Sequence, residues 1–295
     1  MVMALQAPGH GSLATSVPDR AQPVTRRSLR RDLTDLGVRA GTTVLLHSSL
    51  RSLGYVCGGP TAVVHALLDV LAPDGTLAVP AQTPDNRDPA GWTHRSVPRH
   101  WWPTIRANLP PYDPATHDCR AMGLIAETVR TWPGAVRSGH PQTSFAAVGA
   151  QAAVLMGRHD LDSELGEASP LAAMAAGGGY ALLLGVGYER CTAFHLAEYR
   201  LPEPPPRREK ACVMLVAGQR RWVRYPGVDL NAGDFAQLGA DFERDTSAVA
   251  IGRIGPAIAR LLPISVAVDY ARGWLAEHRA RLAGRSPDAG AASTS

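Results

Sequence analysis

The stretch richest in chemistry runs Leu182-Leu-Leu-Gly-Val-Gly-Tyr-Glu-Arg-Cys-Thr-Ala-Phe-His-Leu-Ala-Glu198. An apolar strand ends in small residues, and a helix follows with Thr192 placed to cap its N-terminus. His195 then falls at the third helical position. The positive end of the helix dipole favours a neutral imidazole there, and a neutral ring can accept a proton near pH 7. Glu198, three residues on, lies on the same helix surface, where it can orient that ring or meet a cationic substrate. The pair suits general-base work, although a satisfied core histidine beside a surface glutamate would read the same way.

A second stretch, Leu45-Leu-His-Ser-Ser-Leu-Arg-Ser-Leu-Gly54, places Ser48, Ser49 and Arg51 just after a buried strand. Open α/β sheets bind ligands at such strand ends. Hydroxyls, backbone amides and a guanidinium together suit a phosphate or pyrophosphate, and an ordinary serine-rich turn fits the same residues. A third, Ser138-Gly-His-Pro-Gln-Thr-Ser-Phe-Ala-Ala-Val-Gly149, sets His140 and Ser144 just before another strand. Familiar alternatives are missing: there is no G-x-S-x-G elbow, no H-E-x-x-H and no G-x-x-x-x-G-K-[ST]. Gly185-Val-Gly187 lacks the third glycine of a dinucleotide fingerprint. The four cysteines, Cys57, Cys119, Cys191 and Cys212, form no C-x-x-C pair, so they read as reduced thiols and no metal site is expected.

Elements to position these groups can be read from periodicity. Thr25 caps a helix with Leu29, Leu33 and Leu36 on one face and Gly37 as its stop. Strands are expected at 43–47, 76–80, 144–148 and 180–184, and helices at 62–71, 122–131, 149–157, 172–176 and 193–199. A long loop bearing Trp92, Trp101 and Trp102 runs from Ala81 to about Arg120, a length that tends to be functional. Beyond Pro202-Glu-Pro-Pro-Pro206, segments 211–217 and 221–225 flank Gly218-Gln219 as a hairpin, and helices near 233–242 and 265–279 follow. The fold class is α/β, a mixed central sheet sandwiched by helices with a C-terminal hairpin and helices. One domain over 25–283 is expected, between disordered tails at 1–24 and 284–295.

The chain has 295 residues, 45% hydrophobic and 19% charged, enough for a large core. No run of 18 apolar residues occurs and residues 1–24 do not read as a signal peptide, so a cytoplasmic protein is expected. The net charge of +4 does not point to nucleic acid, because the basic residues are scattered and no binding motif accompanies them. Lys210 is the only lysine; every other basic residue is arginine.

Taken in order, these stretches resemble the aminoglycoside 3-N-acetyltransferases, a family distinct from the GNAT enzymes, from about Thr25 to Arg279. The resemblance rests on H-S-S-x-x-x-x-G at His47–Gly54, Gly75-Thr-Leu-Ala-Val-Pro80, and Gly139-His-Pro-x-x-Ser-Phe-x-Ala-x-Gly149. Ser169-Pro170 and Leu-Leu-Gly-Val-Gly leading to Thr192-x-x-His-x-x-Glu198 complete it. It implies transfer of acetyl from acetyl-CoA to the 3-amino group of a 2-deoxystreptamine ring, without a metal. By resemblance His195 is the general base, Glu198 its orienting partner, and Thr192, with amides of the 193–199 helix, an oxyanion donor. Coenzyme A falls to Ser48, Ser49, Leu50, Arg51, Leu53 and Gly54, with Ser144, Val186 and Gly187 nearby. The cationic antibiotic falls to Asp85, Asp88, Glu198, Asp234 and Glu243, which requires acids gathered at the cleft and arginines elsewhere. Acetylation of another amine and non-catalytic binding of coenzyme A or antibiotic are the competing readings. No nucleic-acid or membrane partner is expected, and oligomeric state is not legible.

Overall fold

The computed structural model describes residues 22–92 and 97–284. The elements begin with α1 (Arg26–Leu36), β1 (Thr43–Ser48), α2 (Gly59–Leu71), β2 (Thr76–Pro80), α3 (Trp102–Asn108) and α4 (Leu124–Arg130). They continue with β3 (Val136–Arg137), β4 (Phe145–Gly149), α5 (Ala152–Met156), α6 (Pro170–Ala176), β5 (Tyr180–Leu184) and α7 (Ala193–Tyr199). The last are β6 (Arg207–Val216), β7 (Gln219–Val228), α8 (Phe235–Asp245), β8 (Ala250–Ile254), β9 (Ala257–Pro263) and α9 (Ile264–Ala283).

Val44–Leu46, Leu77–Val79 and Ala181–Leu184 are apolar without alternation, the pattern of strands covered on both faces. They lie in β2, β1 and β5, three adjacent parallel strands at the centre of a seven-stranded sheet of order β3-β4-β2-β1-β5-β9-β8. The flanking strands run antiparallel. Successive residues point to opposite faces. Val44, Leu46, Leu182 and Leu184 pack with α1, α2 and α4 through Leu33, Val63, Leu67 and Val129. Leu45, Ala181 and Leu183 pack with α6, α7, α8 and α9 through Met174, Phe194, Leu238 and Leu275. The expected mixed sheet between helices is thus the architecture observed.

Close strand approach accounts for one recurring glycine. Gly149, at φ 127°, pairs with Thr76, and a Cβ there would stand 2.2 Å from the Gly75 carbonyl oxygen. The β6–β7 hairpin forms its own two-stranded sheet. It is fastened to the body by Asn86, whose side chain donates to the Val213 carbonyl and accepts from its amide, both at 2.9 Å. Two boundaries need correction. Val24, placed in the N-terminal tail, is buried and bridges to Val56, and the 81–120 loop contains α3. The expectations of disorder at 1–21 and 285–295 lie outside the described residues. Among the described residues no helix is long and apolar enough to cross a membrane.

Candidate active site

Because β2, β1 and β5 run parallel, their carboxyl ends open on one edge of the sheet, and a cleft of about 1680 Å³ lies there. Pro80 after β2, His47 to Ser52 after β1, and Gly185 to Gly187 after β5 line it, with Thr192 and His195 of the α7 turn. The two central loops are laced together. The Ser49 amide donates to the Leu184 carbonyl at 3.0 Å, and Ser52 Oγ donates to the Gly185 carbonyl at 2.9 Å. Gly185 at φ 67° permits this, since a Cβ would come within 2.4 Å of Ser52 Cβ.

His195 occupies the third position of α7, as the sequence spacing requires. Its ring packs on Phe235 at 4.7 Å and is 15% exposed. Nδ1–H donates to Glu198 Oε2 at 2.5 Å, and Nε2 has no hydrogen-bond partner among the described residues. Glu198 is wholly buried, and its Oε1 accepts from the Asn231 amide at 3.1 Å and from Arg279 Nη1 at 2.6 Å. It is hydrogen-bonded to the ring, and it is not among the residues that line the cleft.

Thr192 stands at the N-cap position without a side-chain cap bond. Its Oγ1 instead hydrogen-bonds His47 Nε2 at 3.2 Å. Burial, reinforced by the neighbouring His195, pushes His47 down to about 3. His47 therefore stays neutral across the physiological range. It is a functional neighbour that the sequence offered only as part of the H-S-S stretch. The expectation of free amides at the helix start is not met at Phe194 and His195, whose N–H groups already donate to the Cys191 and Thr192 carbonyls.

Among the residues expected at coenzyme A, Ser48, Ser49, Leu50, Arg51, Val186 and Gly187 line the cleft. Three do not. Leu53 is fully buried in the core behind the loop, and Gly54 is not among the lining residues. Ser144 is fully buried, where it donates to the Ala81 carbonyl and accepts from Arg137. His140 is buried too, its Nδ1 accepting the Gln142 and Thr143 amides. Arg190 and Arg260, not singled out from sequence, line the cleft beside Gly187, and Arg260 is held by Glu243 at 2.7 Å.

The acids differ most from expectation. Of Asp85, Asp88, Glu198, Asp234 and Glu243, only Asp88 lines the cleft. Asp85 faces a separate small pocket, Asp234 is bound by Arg279, and Glu243 bonds Tyr188 and Arg260. Glu164, Glu189 and Glu209 line the cleft instead. Nor are arginines excluded from it. Arg51, Arg87, Lys210, Arg224 and the two already named stand among the lining residues. The pairing explains how they coexist: Arg106 on Asp88 at 2.8 Å, Lys210 on Glu164 at 2.6 Å and Arg224 on Glu209 at 2.7 Å. Among the described residues no cluster of three or more His, Cys, Asp or Glu is arranged to hold a metal.

Comparison with known proteins places the chain in one family. Residues 45–276 match the model of the aminoglycoside 3-N-acetyltransferase family. YokD of Bacillus subtilis, an aminoglycoside N(3')-acetyltransferase-like protein, is 39% identical over 85% of this chain and 92% of its own. Its crystal structure superposes with a TM-score of 0.86 at 37% identity, covering 88% of this chain and 96% of that one. Aminoglycoside N(3)-acetyltransferase VII of Streptomyces paromomycinus is 39% identical over 88% of this chain and 94% of its own. The structure of AAC-IIIb in binary complex with CoASH gives a TM-score of 0.77 at 30% identity, covering 87% of this chain and 98% of that one. Site, fold and sequence similarity thus converge, and the chain belongs to the aminoglycoside 3-N-acetyltransferase family of acyltransferases.

Proposed function

We propose that this protein, working in the cytoplasm, transfers acetyl from acetyl-CoA directly to the 3-amino group of the 2-deoxystreptamine ring of aminoglycosides and so confers resistance. One observation carries the reading of the base. His195 lines the cleft with Nδ1–H committed to a buried carboxylate, which leaves Nε2 as the nitrogen that accepts a proton. The substrate ammonium gives up a proton to Nε2, and the freed amine attacks the thioester carbonyl carbon. The C–N bond forms, the tetrahedral adduct loses its second nitrogen proton to solvent, and the C–S bond then breaks as the thiolate leaves with the proton that the imidazolium returns. No covalent enzyme intermediate is needed.

Thr192 Oγ1 supports the developing oxyanion. His47 is neutral and its Nε2 meets that hydroxyl, so Nε2–H can donate to Thr192 Oγ1 and turn the hydroxyl proton toward the cleft. The hydroxyls of the Ser48–Arg51 turn and the guanidiniums of Arg51, Arg190 and Arg260, with Val186 and Gly187 beside them in the cleft lining, suit coenzyme A phosphates. Arg51 is exposed and has no carboxylate partner among the described residues. Arg51→Ala is therefore expected to raise the KM for acetyl-CoA about tenfold with kcat unaltered, the loss of one charge-assisted contact. Initial rates over a range of acetyl-CoA would show it, and an unchanged KM would remove Arg51 from the site.

The cleft is also lined by Asp88, Glu164 and Glu209. An ammonium of the drug can share these carboxylates with the arginines and lysine that hold them. Asp88→Asn is expected to raise the aminoglycoside KM about fivefold while sparing that for acetyl-CoA, as for a partly exposed pair. Equal effects on both substrates would contradict this assignment. The whole reading is tested by drug-dependent release of free thiol from acetyl-CoA, with the acetylated position mapped on the product.

A further inference from the structure

We propose that Arg279 is a positioning residue for acetyl transfer, acting on His195 through Glu198. The inference rests on the reading of His195 as the base, and it adds a group from the far end of the chain, 81 residues from Glu198.

A fully buried carboxylate needs partners for both oxygens. Glu198 divides them. Oε1 receives Arg279 Nη1 at 2.6 Å and the Asn231 amide at 3.1 Å, and among the described residues Oε2 receives only His195 Nδ1. With Oε1 fixed, the carboxylate plane is fixed, and Oε2 points where the imidazole must lie. Arg279 is itself immobilised. Its Nε and Nη2 grip Asp234 at 2.7 and 2.9 Å, and Nη2 also donates to the Asn231 carbonyl at 2.7 Å. Every nitrogen of the guanidinium is thus engaged, and only its planar fork can serve two carboxylates from one side chain. Burial opposes the charge, but Asp234 and Glu198 together outweigh it and hold the group above its ordinary pKa.

The arrangement depends on α9. That helix buries Ala267, Val268, Ala271 and Leu275 against the core layer containing Phe194 and Leu196 of α7, which sets Arg279 behind the catalytic turn. An ion pair with Asp234 alone would anchor the helix. The additional bond to Glu198 Oε1 has no anchoring task that the Asp234 fork leaves undone; its consequence is the orientation of Oε2.

The test is a double-mutant cycle on kcat, with both KM values measured for each variant. Arg279→Ala is expected to lower kcat about 30-fold and to leave the acetyl-CoA KM within about twofold. In the Glu198→Ala background the same change should alter kcat by less than about twofold, because nothing remains for Arg279 to position. Arg279→Lys keeps the charge and the ion pair with Asp234, so it guards against a folding defect; lacking the fork, it should still lose about tenfold in kcat. A kcat within twofold of wild type in Arg279→Ala, or full additivity in the cycle, would overturn the proposal. If Glu198→Ala is slow and Arg279→Ala is not, only the role of Arg279 fails. If Glu198→Ala turns over normally, the reading of the His195–Glu198 pair fails with it.

Discussion

His195→Ala is expected to lower kcat by about 10²–10⁴ at neutral pH while leaving acetyl-CoA binding nearly unaltered. The ring has two nitrogens with separate duties, one fastened to Glu198 and one free, and alanine removes both. Apart from Arg260 on β9, the residues assigned to coenzyme A lie on the loops after β1 and β5, which are tied to each other by the Ser49 and Ser52 hydrogen bonds. Steady-state kinetics beside an acetyl-CoA titration separate the two effects. Near-normal kcat in the variant would end the general-base assignment. Positioning of amine against thioester can contribute as much as roughly 7–11 kcal/mol on its own, so a residual rate above background is expected.

Acid should weaken the fold sharply, well above the pH at which carboxylates titrate. Burial pushes His47 down to about 3, His140 to about 3 and His159 to about 4; His195 adds to the first shift and His159 to the second, while the hydrogen bond to the Glu164 carbonyl and the nearby Asp160 oppose the third. In His140 and His159 the acceptor nitrogen is occupied as well. His140 Nδ1 accepts two backbone amides, and His159 Nδ1 accepts the Ser138 hydroxyl at 2.9 Å, so a proton on either displaces a bond. In the unfolded chain each ring takes up a proton near 6.5; in the folded chain it does not until pH 3–4. The unfolded state therefore gains protons as pH falls through this window, and stability, complete above about pH 7, declines with it. At pH 5 each histidine costs about 2 kcal/mol, about 6 kcal/mol for three, comparable with the whole stability of many domains. Denaturant midpoints at pH 7 and pH 5 measure this directly, and equal midpoints would contradict it.

Local rules carried the sequence reading where the signals are local. Thr25 forms the capping box of α1 with Ser28, and Gly37 ends that helix at φ 111°. The spacing from Thr192 to Glu198 set the histidine on the right turn facing its acid. Pairing across the chain was not legible. Glu198 and Asp234 look alike as acids until Arg279 arrives and occupies both. Glu164, a cleft residue, is paired with Lys210 of the β6–β7 hairpin, 46 residues away in sequence. Ser144 sits in a recurring motif, yet it faces inward, where Arg137 and the Ala81 carbonyl take its hydroxyl. Strands β8 and β9 went unread because they lie at the sheet margin, where Ile251 and Ile258 remain exposed and the apolar alternation is weak. The motif glycines proved to report packing: Gly149 and Gly75 allow two backbones to touch and do no chemistry themselves.

The central claim is acetyl transfer to one amine of one ring. Its most direct test is thiol release from acetyl-CoA by the purified protein with a panel of 2-deoxystreptamine antibiotics, followed by mapping of the product. Drug-dependent release with the acetyl group on the 3-amine is the expected result. Tight acetyl-CoA binding with no turnover on any member of the panel, or acetylation at a different amine, would contradict the account.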